Sequence, residues 1–227
     1  MCGRYGFTPG ENFYKRFEVT NRLDKLQTHY NVTPGMQMPV IVRVHPGGEL
    51  FTPRVELMKW GLIPFWSKDP RIGYKMINAR AEGIEDKPSF RKPLRSQRCL
   101  VPTSFFFEWR HMGEEKIPYL IKLKGEDVFA MAGLYDIWKD AEGYSVKSFT
   151  IITTEPNTLL GEIHNRMPVI LHEKFEDTWL NPQVNDVGVL LNFLKPYDAE
   201  RMEAFPVSKL VNNPANDSQE IISKTGS

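Results

Sequence analysis

Apolar and polar positions alternate over short stretches of this chain far more often than they recur at helical spacing. Runs rich in β-branched and aromatic residues fall at Pro39–Val44, Val55–Trp60, Cys99–Val101, Phe105–Trp109, Tyr119–Leu123, Val128–Gly133 and Ser148–Thr153. Most are bounded by Pro, Gly, Asp or Lys-rich turns, the pattern of several strands at close spacing. Helical patterns are fewer. Glu11–Phe17 predicts a first helix, with Thr8-Pro9 supplying its N-cap and a proline in its first turn. Lys87–Leu94 predicts a short helix starting near Ser89, and Pro156–Ile163, Glu173–Trp179 and Asp186–Leu194 predict three more. The expected fold is α+β: one compact strand-rich domain over residues 1–227, a distorted barrel or packed sheets with a few short helices, and a polar tail at 223–227.

Composition refines this picture in two respects. Hydrophobic residues make up 41% of the chain and aromatics 12%, enough for a sizeable core. The seventeen prolines and sixteen glycines are spread along the whole length, which argues for many turns between short elements. The net charge of +1 conceals an uneven distribution. Lys68 to Arg98 carries nine Lys or Arg against four acidic residues, whereas His172 to Ser227 carries five against nine. A polyanion can be met by a local basic segment of this kind, although the same residues would also solvate a loop.

Two cysteines, Cys2 and Cys99, cannot build a disulfide framework. The start MCGRYGFTPG has no apolar run behind a basic region, and no stretch approaches the ~20 apolar residues of a membrane span. The expectation is a soluble, monomeric protein of the cytoplasm, nucleoid-associated in a bacterium, with no membrane partner and Cys2 kept as a free thiol. CxxC, HExxH, P-loop, GxGxxG and GxSxG spacings are all missing, so no metal or cofactor is expected, nor serine-hydrolase chemistry.

Cys2 is the first candidate for chemistry. Methionine removal is easiest ahead of a small residue, and it would leave an α-amine and a thiol on adjacent carbons. With ordinary pKa values of about 8 and about 8.5, both would have usable reactive fractions near neutral pH. An amine condenses with an aldehyde to a Schiff base, and a neighbouring thiolate closes a five-membered thiazolidine. The alternative is an incidental residue on a loose terminus. His164, in IHNRMPVIL, sits where a helix end meets an apolar strand and reads either as a proton shuttle or as a structural histidine. His29, His45, His111 and His172 lie in turn-like or polar contexts and are assigned no chemistry.

Glu108 ends an aromatic run, FFFE, and is either lifted in pKa by burial or turned to solvent. Alternation puts Phe106 and Glu108 on one face and Phe105, Phe107 and Trp109 on the other; which face is buried stays open. Asn78, in INAR, either orients a reacting group or caps a turn. Arg4, Arg80 and Arg166 each lie two residues from one of these candidates, and a guanidinium fork suits phosphate oxygens. Trp60 and Trp66 flank the loop GLIPF as a base-stacking platform or as core.

The segments CGRY at 2–5, HYNVTPG at 29–35, WGLIPFW at 60–66, INARAE at 77–82, RCLVP followed by FFEW, HNRMPVIL at 164–171 and the closing stretch 207–222 together resemble the SRAP (SOS response-associated peptidase) family. The resemblance implies a compact α+β domain around a basic cleft. It implies a DNA-damage function in which mature Cys2 cross-links to an abasic site in single-stranded DNA through a thiazolidine. On that resemblance Asn78 positions the opened sugar, Glu108 handles protons on the amine and sugar hydroxyl, and His164 is the general acid/base. Arg4, Arg80 and Arg166 fall at phosphate-holding positions, and Pro34, Trp66, Trp109 and Thr153 at positions contacting or wedging the strand. The family name offers an alternative, an N-terminal-nucleophile cysteine peptidase whose one substrate bond could be its own Met1. Ser67-Lys68 follow Trp66 where members of the family can carry a second aromatic, so a single wedge is expected here.

Overall fold

The structure, a computed structural model, describes residues 2–44 and 52–225; His45 lies outside them. Five strands close into a barrel: β3 (Gln37–Val44), β4 (Thr52–Trp60), β6 (Arg98–Thr103), β9 (Phe129–Lys139) and β10 (Ser145–Thr154). Around the ring β4, β3, β6, β9 and β10 pair antiparallel in turn, and β10 returns to β4 by a parallel pairing. Closure removes the exposed edges that a five-stranded sheet of such apolar strands would present. Short strands extend it: β5 (Asn78–Arg80) runs parallel to β10, while β11 (Met167–Pro168) and β12 (Ile170–Leu171) pair antiparallel with β10 and β9.

A second, five-stranded sheet lies beside the barrel. It is built from β1 (Tyr5–Phe7), β2 (His29–Val32), β7 (Phe105–Met112), β8 (Glu115–Leu123) and β13 (Met202–Pro206), in the order β13-β8-β7-β1-β2. Alternation along β7 resolves with both faces covered. Phe106 joins the main core with Tyr5, Trp60 and Ile121, while Phe105 and Phe107 pack with Leu120, Val207, Val211 and Ile221 of the closing segment. Glu108 shares the Phe106 face and is 2% exposed, so the solvent-facing alternative falls away.

All seven runs expected as strands lie in observed strands, several of which are longer; Val128–Gly133 starts one residue early. The helices are α1 (Phe13–Arg16), α2 (Arg91–Ser96), α3 (Thr158–Gly161), α4 (Glu173–Leu180) and α5 (Val187–Leu191). Two expectations need correcting. The first helix is only four residues long with Asn12 at its N-cap, and Thr8-Pro9 stand ahead of it. The helix expected over 87–94 begins instead at Arg91. Proline lacks an N–H and is tolerated only in a helix's first turn; starting at Arg91 puts Pro93 there, whereas an earlier start would bury it mid-helix.

Gly133 marks a close approach within the barrel wall. β9 is paired on both edges here, with Cys99 across one side and Ile151 across the other. A Cβ would lie 2.8 Å from Cys99 Sγ, 2.9 Å from Val101 Cγ2 and 3.0 Å from the Thr150 carbonyl oxygen. Gly133→Ala is therefore expected to lose about 1–3 kcal/mol by overpacking. An unchanged thermal midpoint would show that the wall yields more easily than these distances imply.

Candidate active site

The four residues expected to carry chemistry are brought together from four parts of the chain. Cys2 precedes β1, which pairs with β7 so that Tyr5 faces Phe106, and the Phe107 N–H donates to the Arg4 carbonyl at 3.0 Å. That register lays the N-terminus along Glu108. Cys2 is fully buried; burial first and the nearby Glu108 charge second hold its thiol far above the ordinary range. With Met1 still attached, the thiol keeps its proton. Asn78 opens β5, and its Nδ2 donates to the Cys2 carbonyl at 2.8 Å. Its Oδ1 is buried with no hydrogen-bond partner among the described residues, an acceptor awaiting a donor.

Burial pushes the Glu108 carboxyl up to about 7, where it can take or give a proton at neutral pH. His164 follows α3. Burial is the largest cause lowering its pKa, so the imidazole is neutral. Its Nδ1 accepts the Arg166 backbone N–H at 3.0 Å, which places the ring proton on Nε2. The Arg166 carbonyl lies 3.3 Å from the same nitrogen, ready to accept once Nδ1 is protonated. Glu108 and His164 line one open cleft of about 410 Å³ with Trp109, His111, Lys116 and Asn212. A larger cavity of about 540 Å³ is walled by Glu11, Glu126, Asp127 and Glu173 beside Arg16, a predominantly acidic lining that would repel a polyanion.

The three arginines differ in availability. Arg80 is exposed and makes no side-chain hydrogen bond among the described residues. Arg166 gives both arms of its fork to Glu82, at 2.7 and 2.8 Å, and also donates to the Thr153 carbonyl at 2.7 Å. Arg4 is half-buried: its Nη1 donates to Asn31 Oδ1 at 2.8 Å and to the Val211 carbonyl at 2.7 Å, and it lies 5.9 Å from the Trp109 ring centroid. The closing segment is clasped at the same place. Asp217 accepts the Tyr30 and Asn31 N–H groups and pairs with His29, while Asn31 Nδ2 donates to the Asn213 and Asn216 carbonyls. Trp109 Nε1 donates to Asn212 Oδ1 at 2.8 Å.

Thr153 is buried on β10 opposite Arg80, and Arg166 Nη2 donates to its carbonyl at 2.7 Å and to its Oγ1 at 3.5 Å. Pro34 is half-buried in the turn between β2 and β3. The tryptophans of the GLIPF loop divide: Trp60 is buried and donates to the Ile77 carbonyl at 2.9 Å, while Trp66 is 48% exposed. Phe65 is also half-exposed, with Lys92 Nζ 4.3 Å from its ring centroid. Phe65 thus stands beside Trp66 as a second exposed aromatic of the same loop. Lys68, Arg71, Lys75, Arg91, Lys92 and Arg95 are exposed as well. Arg98 is instead a structural bolt, buried and donating to the Trp179, Leu94, Arg95, Asn181 and Val184 carbonyls, with burial lowering its pKa to about 10.

Sequence reasoning assigned His111 no chemistry and passed over Lys116 and Asn212, all three of which line the cleft beside Glu108 and His164. His111 and Lys116, one on each strand, are paired across the β7–β8 hairpin, a pairing that the turn signal at Met112-Gly113 could have suggested. Asn212 meets Trp109 across 103 residues, and nothing local announces that contact.

This fold and site define the chain's class: it belongs to the SOS response associated peptidase (SRAP) family, whose model matches residues 1–214. Among individual proteins it is similar to the abasic site processing protein YoqW of Bacillus subtilis, 46% identical over 226 residues and covering 98% of this chain and 99% of that one. It is similar as well to the abasic site processing protein HMCES of Xenopus tropicalis, 29% identical over 223 residues, covering 87% and 66% respectively. A solved structure from Bacteroides thetaiotaomicron superposes with a TM-score of 0.88 at 33% identity, covering 99% of this chain and all of the other.

Proposed function

We propose that this protein processes abasic sites in DNA, and that it does so by capturing the ring-opened sugar of a single-stranded lesion on mature Cys2. The printed names of the relatives supply the abasic-site context. The observation that carries the chemistry is the convergence of Cys2, Asn78, Glu108 and His164, with Glu108 poised near neutral.

After Met1 is removed, the Cys2 α-amine attacks the sugar aldehyde and forms a carbinolamine. Loss of water, with a proton supplied by His164 Nε2–H, gives the imine. The Cys2 sulfur then bonds to the imine carbon and the thiol proton passes to the nitrogen, closing a thiazolidine. Glu108 relays these protons, and the buried Asn78 Oδ1 accepts from a sugar hydroxyl. Arg80 holds a flanking phosphate while Trp66 and Phe65 stack on bases. An abasic residue in a single strand leaves no base pair to break.

The test uses untagged protein shown by mass spectrometry to begin at Cys2. Incubated with an abasic single-stranded oligonucleotide, it should yield a one-to-one band that survives denaturation, and none with the intact oligonucleotide. Absence of the band, or sustained cleavage of unrelated peptides instead, would overturn the reading.

A further inference from the structure

Arg166 is the most tightly engaged of the arginines beside the site. Its fork is filled by Glu82, whose side chain is 57% exposed whereas that of Arg166 is 13% exposed. Arg80 and Thr153 stand opposite each other in the β5–β10 register, so Arg80, Arg166 and Glu82 gather at one end of β5. Carboxylate and phosphate offer a guanidinium the same pair of oxygens, and both bind it in bidentate fashion.

We propose that Glu82 is a displaceable occupant of a phosphodiester seat: it holds the Arg166 fork in the free protein and swings away when a DNA phosphate enters. This rests on the DNA reading above. Three features separate a swinging side chain from a fixed one. Glu82 reaches Arg166 on a flexible stem from the exposed surface. Its backbone is pinned where it stands, because Lys87 Nζ donates to the Glu82 carbonyl at 3.2 Å. Arg166 keeps its place without Glu82, through the Thr153 carbonyl at 2.7 Å. Only the carboxylate has to move. The Glu82 carboxylate is the exposed end of the pair, so it can return to water when a phosphate takes its place on the Arg166 fork.

The consequence is an exchange of anions rather than a simple capture. At rest the Arg166 charge is already balanced, so the seat adds little to counterion release. It also gives small anions no vacant fork to occupy. Glu82 thereby sets the threshold a strand must pass to engage Arg166.

The experiment measures binding of an unmodified single-stranded oligonucleotide to wild type and Glu82→Gln across a salt series, beside cross-linking to the abasic oligonucleotide. Glu82→Gln should bind about twofold to fivefold more tightly at 0.1 M salt. Its plot of log K against log salt should steepen by roughly one counterion. Cross-linking should quicken only below saturating DNA. Weaker binding with a shallower slope would make Glu82 a positioning residue for Arg166 and overturn the proposal, as would unchanged values with an unchanged thermal midpoint. A wild type that binds the strand but forms no adduct would sink the cross-linking reading while the salt slope still decides the role of Glu82. A wild type that neither binds nor cross-links would overturn both.

Discussion

Cys2→Ser protein, matured to its new N-terminal serine, is expected to form no heat-stable adduct with abasic single-stranded DNA, yet to be trapped on it by borohydride. The substitution keeps the α-amine and removes only the sulfur. Imine formation needs the amine; ring closure needs a nucleophile already held beside the imine carbon. Intramolecular delivery of that kind is worth many powers of ten, so loss of the sulfur should reduce the stable product by at least about 10³-fold. Gel bands with and without borohydride read the two steps separately. A stable Cys2→Ser adduct would remove the thiol from the reaction, and failure of borohydride trapping would remove the amine.

Glu108→Gln should make the protein both less active and, at alkaline pH, more stable. Burial lifts the Glu108 carboxyl to about 7 in the folded chain, against about 4.3 for an ordinary glutamate. The folded state therefore holds this proton more tightly than the unfolded one. Stability from this group is fully present below about pH 4, fades as pH climbs through 7, and is gone above 8. The ionised carboxylate then burdens the fold by roughly 3 kcal/mol, which the neutral amide avoids. The thermal midpoint of Glu108→Gln should exceed wild type by several degrees at pH 8.5 and converge with it near pH 5. Its cross-linking rate should fall by about 10²–10⁴-fold, the usual worth of general acid–base help. A lower midpoint at both pH values would mean that Glu108 is retained for structure. The opposite pair, stability gained and activity lost, marks a group kept for function.

Much of the fold was legible because strand periodicity is a local signal. β3, β4 and β6 through β10 announce themselves as apolar runs between turn residues. β1, β2 and β5 escaped notice because three- or four-residue strands carry too few alternations to be read, and they exist through the neighbours they pair with. The site's principal residues were visible for a different reason. Each carries unusual chemistry in an apolar or basic setting: Glu108 after three phenylalanines, Asn78 after Met76-Ile77, His164 beside Met167-Pro168. What the sequence could not disclose was occupancy. That Glu82 fills the Arg166 fork, that Asn31 and Val211 hold Arg4, and that the Cys2 thiol is shut away in the core are all consequences of contacts between distant segments.

The clasp of Arg4 by residues 211–217 also bears on the order in which the site is assembled during synthesis. Arg4 finds the Val211 carbonyl, and Asn31 finds Asn213, Asn216 and Asp217, only once residues 211–217 have been made. A nascent chain can expose its α-amine, but it lacks the closed clasp around Arg4 and the Asn212 partner of Trp109. Stitching β1 to residues 211–217 therefore delays assembly of the clasped site until those residues have left the ribosome.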